Sequence, residues 1–98
     1  MAKYILLVNW TDQGVKAVKD SPKRLDAARK LAESAGAKLG DFHMTMGGYD
    51  MVVHLEAPDD ATVAKFVLKL AGAGNVRTQT LKAFSEDEYR TILGALER

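Results

Sequence analysis

Cysteine is absent from this chain of 98 residues, and proline (two), tryptophan (one) and histidine (two) are scarce. Without cysteine there is no disulfide, thiolate nucleophile, iron–sulfur cluster or cysteine zinc site, so any chemistry must come from His, carboxylate, Tyr, Lys or Arg. Net charge is also missing. Fourteen basic and thirteen acidic residues leave a formal +1, too weak a field to predict nucleic acid or an anionic membrane as partner. The local exception is Lys16, Lys19, Lys23 and Arg24, which reads either as a solvated face or as an anion-attracting rim. No long hydrophobic run occurs. YILLVNW, residues 4–10, is far too short for a spanning helix or a signal-peptide core, which makes a cytoplasmic location the expectation.

What is present is 47% apolar and 28% charged residues, enough for one globular domain, 1–98, with a single core. A domain this small gains from pairing with another copy. Residues 3–10, KYILLVNW, carry apolar side chains on both parities, as in a central strand covered on both faces. The following TDQGVKAVKDSP holds turn formers at both ends with room for a short helical turn. Ser21-Pro22 then offers an N-cap and a first-turn proline for a helix over about 22–35, with Leu25, Ala28, Leu31, Ala32 and Ala35 on one stripe and Gly36 as its stop.

Residues 38–46 and 49–57 read as strands joined by Gly47-Gly48, a dipeptide suited to a two-residue hairpin turn. Ala57-Pro58-Asp59-Asp60 opens a second helix with an acidic first turn and a buried stripe of Val63, Phe66, Val67 and Leu70. VRTQTLKAF, 76–84, is a fourth strand. Ser85-Glu86-Asp87-Glu88 is a capping box that starts a third helix with Tyr89, Ile92, Leu93 and Leu96 on one side. The order β-α-β-β-α-β-α with right-handed crossovers gives an α+β fold: a ferredoxin-like βαββαβ antiparallel sheet with an extra C-terminal helix. Both crossover helices then cover one face, and the other is left to a partner, to the C-terminal helix or to water.

A two-residue loop at Gly47-Gly48 sets Met46 opposite Tyr49, Thr45 opposite Asp50, Met44 opposite Met51, His43 opposite Val52 and Asp41 opposite His54. Phe42, Met44, Met46, Tyr49, Met51, Val53 and Leu55 then share the helix-facing side, with the three methionines as a core stripe. Leu39, Asp41, His43, Thr45, Asp50, Val52, His54 and Glu56 share the open side. Because strand one is apolar on both parities, the open side calls for a cover, and the same sheet of a second subunit is the simplest one.

Three side chains on that side form the candidate catalytic set: Asp41 orienting His54, with His43 a diagonal away, as a general base near neutral pH. Two histidines and a carboxylate offer, as the minor alternative, a transition-metal site with open positions, but at this spacing they match no tight metal motif, and the leading expectation is neither metal nor cofactor. Candidate ligand-binding residues are Asn9, Trp10, Asp41, His43, Tyr49, Asp50, His54 and Arg77. Most also have a structural reading: His43 and His54 as structural or interface histidines, Tyr49 as a core tyrosine, Asp50 as an acceptor for the turn or a partner of Thr45 across it, Trp10 as a packing residue beside a lid formed by 11–20, and Arg77 and Lys82 as surface charge. GAGNVR follows a helix, enters a strand and lacks a third glycine, so it is no dinucleotide fingerprint.

MGGYDMVVHLEAPDD (46–60) and GNVRTQTLKAFSEDEY (74–89), with TDQG after the first strand and SPKR opening the first long helix, resemble the GYD domain family, whose name is the triplet Gly48-Tyr49-Asp50. The resemblance spans almost the whole chain. It implies the ferredoxin-like dimeric α/β-barrel group for fold and assembly, and it marks positions rather than roles. That group includes cofactor-free monooxygenases, haem enzymes, lyases and ligand sensors, so fold analogy selects no reaction. The leading expectation is a homodimer, or a higher homo-oligomer, binding a small organic molecule or anion in the barrel, with no nucleic-acid or membrane partner. The alternatives are a non-catalytic sensing or assembly module, and a cofactor-free oxygenase or acid–base enzyme.

Overall fold

A computed structural model describes residues 1–97. It contains β1 (Ala2–Trp10), α1 (Asp12–Lys16), a 3-10 turn (Val18–Asp20), α2 (Ser21–Ser34), β2 (Lys38–Met44), β3 (Met51–Ala57), α3 (Asp60–Gly72), β4 (Val76–Ala83), α4 (Glu86–Gly94) and a last 3-10 turn (Ala95–Glu97). The strands lie in the order β2-β3-β1-β4, every neighbouring pair antiparallel. This is the ferredoxin-like α+β arrangement, with each βαβ unit split by an inserted strand.

Alternation along β1 and β3 builds the core. Tyr4, Leu6, Val8, Met51, Val53 and Leu55 are buried on one face against Ala28 and Ala32 of α2 and Val63 and Phe66 of α3. The alanines of α2 let that helix approach the sheet closely. Between helices and sheet remains an apolar cavity of about 70 Å³, well below the roughly 150 Å³ that accommodates a benzene-sized molecule.

Helix starts follow the local chemistry. Asp59 caps α3 by accepting from the Thr62 backbone N–H at 2.8 Å, and the Ser85/Glu88 capping box of α4 is formed in both directions at 2.8 and 3.1 Å. Ser21 differs from expectation. The 3-10 turn runs straight into α2, so Ser21 is its first helical residue and Asp20 holds the cap position without a side-chain bond.

The segment after β1 is pinned rather than loose. Thr11 binds the carbonyls of Asn75 and Gly74, Gln13 reaches Ala73 and Asn75, and Arg24 donates to the carbonyls of Gly14 and Ala17. Gly14 sits so close that a Cβ there would lie 2.0 Å from the Asn75 carbonyl oxygen. TDQG and GAGN are therefore two halves of one contact, and Arg24 of the basic group is committed to holding it.

α4 is the exception to the packing. It makes at most marginal contact with the sheet and the other helices, and Tyr89, Ile92, Leu93 and Leu96 are all exposed. The longest dimension is 54 Å, against the roughly 30 Å that a nine-residue strand spans. The C-terminal helix thus does not cover the open face of its own sheet.

Candidate functional site

The open face can be read in rungs across the four strands. At one end Asn9 pairs with Arg77. Next come His43, Val52, Leu7 and Gln79, then Gly40, His54, Ile5 and Leu81, and finally Lys38, Glu56, Lys3 and Ala83. Its centre is apolar, formed by half-buried Ile5, Leu7 and Val52 with the more exposed Leu81. Polar and charged side chains ring that centre.

The expected hairpin register holds from Met44 opposite Met51 to Phe42 opposite Val53, then breaks at a bulge before Leu39, which pairs with Leu55. Two residues, Gly40 and Asp41, thus face one, and a Cβ on Gly40 would lie 3.6 Å from the His54 Cβ. Gly40 occupies the place expected of Asp41. A bulge adds one residue and re-aims its neighbours, so Asp41 is displaced from directly orienting the imidazole. Asp41 and His54 still line one trough of about 410 Å³ on the open face, with Lys3, Ile5, Lys38, Glu56, Phe84 and Ser85. His43 lies outside it, one diagonal from His54.

Within the trough Lys3 donates to Glu56 at 3.2 Å, and this hydrogen bond, with the lysine charge, holds the Glu56 carboxyl below its ordinary range. Among the described residues no group of three or more His, Cys, Asp or Glu side chains is arranged to hold a metal ion. No described helix is long and apolar enough to cross a membrane.

The GYD triplet is mostly architecture. The connection between β2 and β3 spans residues 45–50 rather than two, and of the two glycines Gly47, at φ 121°, is the one with a positive φ, where a type I′ turn would demand it of both. Thr45 closes it, its N–H donating to the Asp50 carbonyl at 2.8 Å and its hydroxyl to the Tyr49 carbonyl at 2.6 Å. Asp50 and Asn9 clasp β3 to β1. The Trp10 N–H donates to the Asp50 carboxylate at 3.0 Å, and the Asp50 N–H donates to the Asn9 side-chain oxygen at 3.0 Å. The Asp50 carboxylate therefore binds the neighbouring strand, while its carbonyl accepts from Thr45 of its own turn.

Tyr49 corrects the expectation of a core side chain. Its hydroxyl donates to Gln79 on the far edge strand at 2.6 Å, and Gln79 shares a rung with Leu7 on the open face, so the ring crosses that face. Met44 and Met46, expected in the core, are 70% and 97% exposed; β2 is an edge strand with a neighbour on one side only, and of the three methionines only Met51, on inner β3, is buried. Trp10 points to the helix side, lining an apolar groove of about 370 Å³ with Val18, Pro22, Leu25, Phe42 and Met44. Its indole N–H is buried without an acceptor among the described residues. Asn9 and Arg77 are thus on one side of the sheet and Trp10 on the other, not at one mouth.

One polar cluster escapes a reading of the sequence. The Tyr4 hydroxyl donates to Asp60, Lys82 donates to the same carboxylate at 3.2 Å, and the Lys82 ammonium lies 5.5 Å from the Tyr4 ring centroid. The Tyr4 bond, then Lys82, pulls Asp60 down, while Asp60 raises both Tyr4 and Lys82. Raised values mean that the Lys82 contribution is present below its ordinary 10.5 and lost as pH climbs through the higher folded value. A signal was available: Tyr4 alternates with Leu6 and Val8 on the core face, where a hydroxyl needs a partner.

Comparison with known proteins agrees with the fold. The chain is 36% identical over 84 residues, 85% of its own length and 88% of the relative's, to a Thermus thermophilus protein named as the glutamine synthetase and cystathionine beta-lyase binding protein. Among solved structures, MtbAldR superposes with a TM-score of 0.67 at 15% identity over 86% of this chain and 53% of that one, so the chain spans about half of MtbAldR. TTHA0845, also from Thermus thermophilus, superposes at 0.56 and 20% identity over 87% and 95%. At these identities both speak for the fold alone. The family model described as GYD domain matches residues 4–93, and the chain belongs to the GYD domain family.

Proposed function

We propose that this protein is a non-catalytic, homodimeric binding module whose ligand is the surface of a metabolic enzyme. The carrying observation is the hairpin tip. Met44 and Met46 stand 70% and 97% exposed, and Met44 lines the apolar groove with Trp10, Val18, Pro22, Leu25 and Phe42. Flexible, polarisable methionine next to a preformed apolar groove is an adaptable protein-docking surface. The name of the Thermus thermophilus relative, a binding protein for two enzymes, supports a partner of this class.

The test is calorimetric titration of the host's own glutamine synthetase and cystathionine beta-lyase with the full chain, and with Met44→Asp and Met46→Asp variants. Binding of at least one enzyme, weakened tenfold or more by each charge, is expected. Failure of both enzymes to bind, or binding indifferent to both variants, sinks the reading. A second reading, a small organic molecule or anion held in the Asp41/His54 trough, is favoured by that trough's 410 Å³ and its two lysines. Native mass spectrometry of protein from its own host would carry it by showing a retained small molecule that His54→Gln loses.

A further inference from the structure

We infer that the groove lined by Trp10 is a binding site for a small neutral molecule, apolar over most of its surface and carrying one hydrogen-bond acceptor for the Trp10 indole N–H. Phenyl ketones are the simplest compounds of that class. The site lies on the helix side of the sheet, apart from the Asp41/His54 trough, and does not depend on an enzyme docking at the hairpin tip.

Three observations meet there. The groove measures about 370 Å³, inside the roughly 300–1,000 Å³ usual for small-molecule sites. It shares Ser21, Leu25 and Phe42 with the inner apolar space of about 70 Å³ between helices and sheet, so the two adjoin. The Trp10 indole N–H is buried without an acceptor among the described residues, whereas a buried tryptophan N–H ordinarily has one. The backbone that carries the ring is held from both sides, by the Asp50 carboxylate and by pairing with Val76 on β4. The indole is thus presented by the sheet and does not swing with a loop.

The chemistry of the walls selects the occupant. Trp10 and Ser21 are the lining residues whose side chains carry a nitrogen or oxygen, and no polar or charged side chain among the described residues is buried in the core behind them. Arg24, the one charge beside the inner space, already donates to the carbonyls of Gly14 and Ala17. A charged ligand would lose its hydration here and gain no counter-ion. Water suits the site poorly, since an ordered buried water takes roughly two to four polar partners. A neutral acceptor joined to an apolar body satisfies the N–H and covers the apolar walls together. Entry requires one wall to move, and Met44 is suited to that, being unbranched, on an edge strand and 70% exposed.

The sole tryptophan makes the test site-specific, because the isotopically labelled full-length chain has a single indole cross-peak in its nuclear magnetic resonance spectrum. The probes are acetophenone and isopropenylbenzene, which has nearly the same shape with a methylene group in place of the carbonyl oxygen. Acetophenone should bind saturably with a Kd of about 1 mM or lower, in keeping with its size. It should also move the indole proton downfield and give nuclear Overhauser contacts to the methyl groups of Val18 and Leu25. Isopropenylbenzene should show the same methyl contacts without the downfield shift. Trp10→Phe should weaken acetophenone binding at least about fivefold, the net worth of one neutral hydrogen bond, and change isopropenylbenzene binding less than about twofold. Shift and contacts are read on the wild-type chain, so the test stands even where that variant fails to fold. No saturation by about 10 mM acetophenone, equal indole shifts with both probes, or contacts confined to other residues overturns the inference. Equal weakening of both probes by a folded Trp10→Phe chain does so too. Neither probe experiment involves an enzyme, so failure of enzyme docking and failure of this site are separate results.

Discussion

α3 and α4 are built alike and end differently. Each follows a strand, each has an acidic first turn, and each is capped by a side-chain oxygen that accepts from a first-turn N–H, Asp59 for α3 and Ser85 for α4. Each also carries an apolar stripe. Yet Phe66 of α3 is 1% exposed and Leu93 of α4 is 43% exposed. Local sequence decides where a helix starts and which side is greasy; what that side touches is settled by chain topology, and here topology sends α4 beyond its own sheet. The apolar stripe of α4 is left in water, and an exposed patch of this kind marks a candidate interaction surface.

The sharpest way to test the contrast is to truncate both stripes. Phe66→Ala opens a cavity in the core of the domain and should lower unfolding free energy by about 3–5 kcal/mol, read from urea midpoints at constant slope. Leu93→Ala at sub-micromolar protein should stay within about 0.5 kcal/mol, as for an exposed site. Raising protein concentration should enlarge the Leu93→Ala effect and leave that of Phe66→Ala as it is, because association adds stability by mass action. Equal losses at every concentration would mean that α4 packs on its own chain.

That contrast also explains how much can be read from the sequence. The strands, the two crossover helices, the capping box and the sheet order follow from periodicity and punctuation, which are local or nearly so. Hairpin register near the tip is legible too, since Met44 does face Met51. The candidate site is not, because it depends on register surviving to Asp41. A bulge leaves little trace in alternation, and Gly40 is its sole sequence hint. Met44 and Met46 mislead for a related reason: apolar parity names a face without saying whether an edge strand has a helix over it at that point. Tyr49 reaches Gln79 through a loop conformation that no period encodes.

A smaller effect separates the two caps. Asp59→Ala and Ser85→Ala each remove an N-cap acceptor, a change that costs about 1 kcal/mol of helix stability. In docked α3 the loss should appear in the global unfolding midpoint. In α4 it should appear only as faster amide exchange over 86–94, since a helix that opens on its own contributes little to the cooperative unit. A global shift from Ser85→Ala in dilute solution would place α4 inside that unit.

Acid should draw the same line more faintly. The Tyr4 hydrogen bond and then Lys82 hold Asp60 below its ordinary 3.8, hydrogen bonds from Thr62 hold Asp59 down, and the Ser85 N–H does the same for Glu88 relative to 4.5. Folded values below unfolded ones mean that these carboxylates stabilise above the unfolded pKa, and that the contribution fades as pH falls through the folded value. Between pH 5 and about pH 2 the melting temperature of the body should therefore decline, and Asp60→Asn should flatten part of that slope. Glu88→Gln should leave the slope alone and instead remove the acid sensitivity of amide exchange in α4. All three carboxylates are solvent-exposed, so salt should shrink each effect. If Glu88→Gln flattened the global slope as much as Asp60→Asn, the two helices would be energetically equivalent in the single chain, and the unpartnered state of α4 would be lost as an explanation for its exposed stripe.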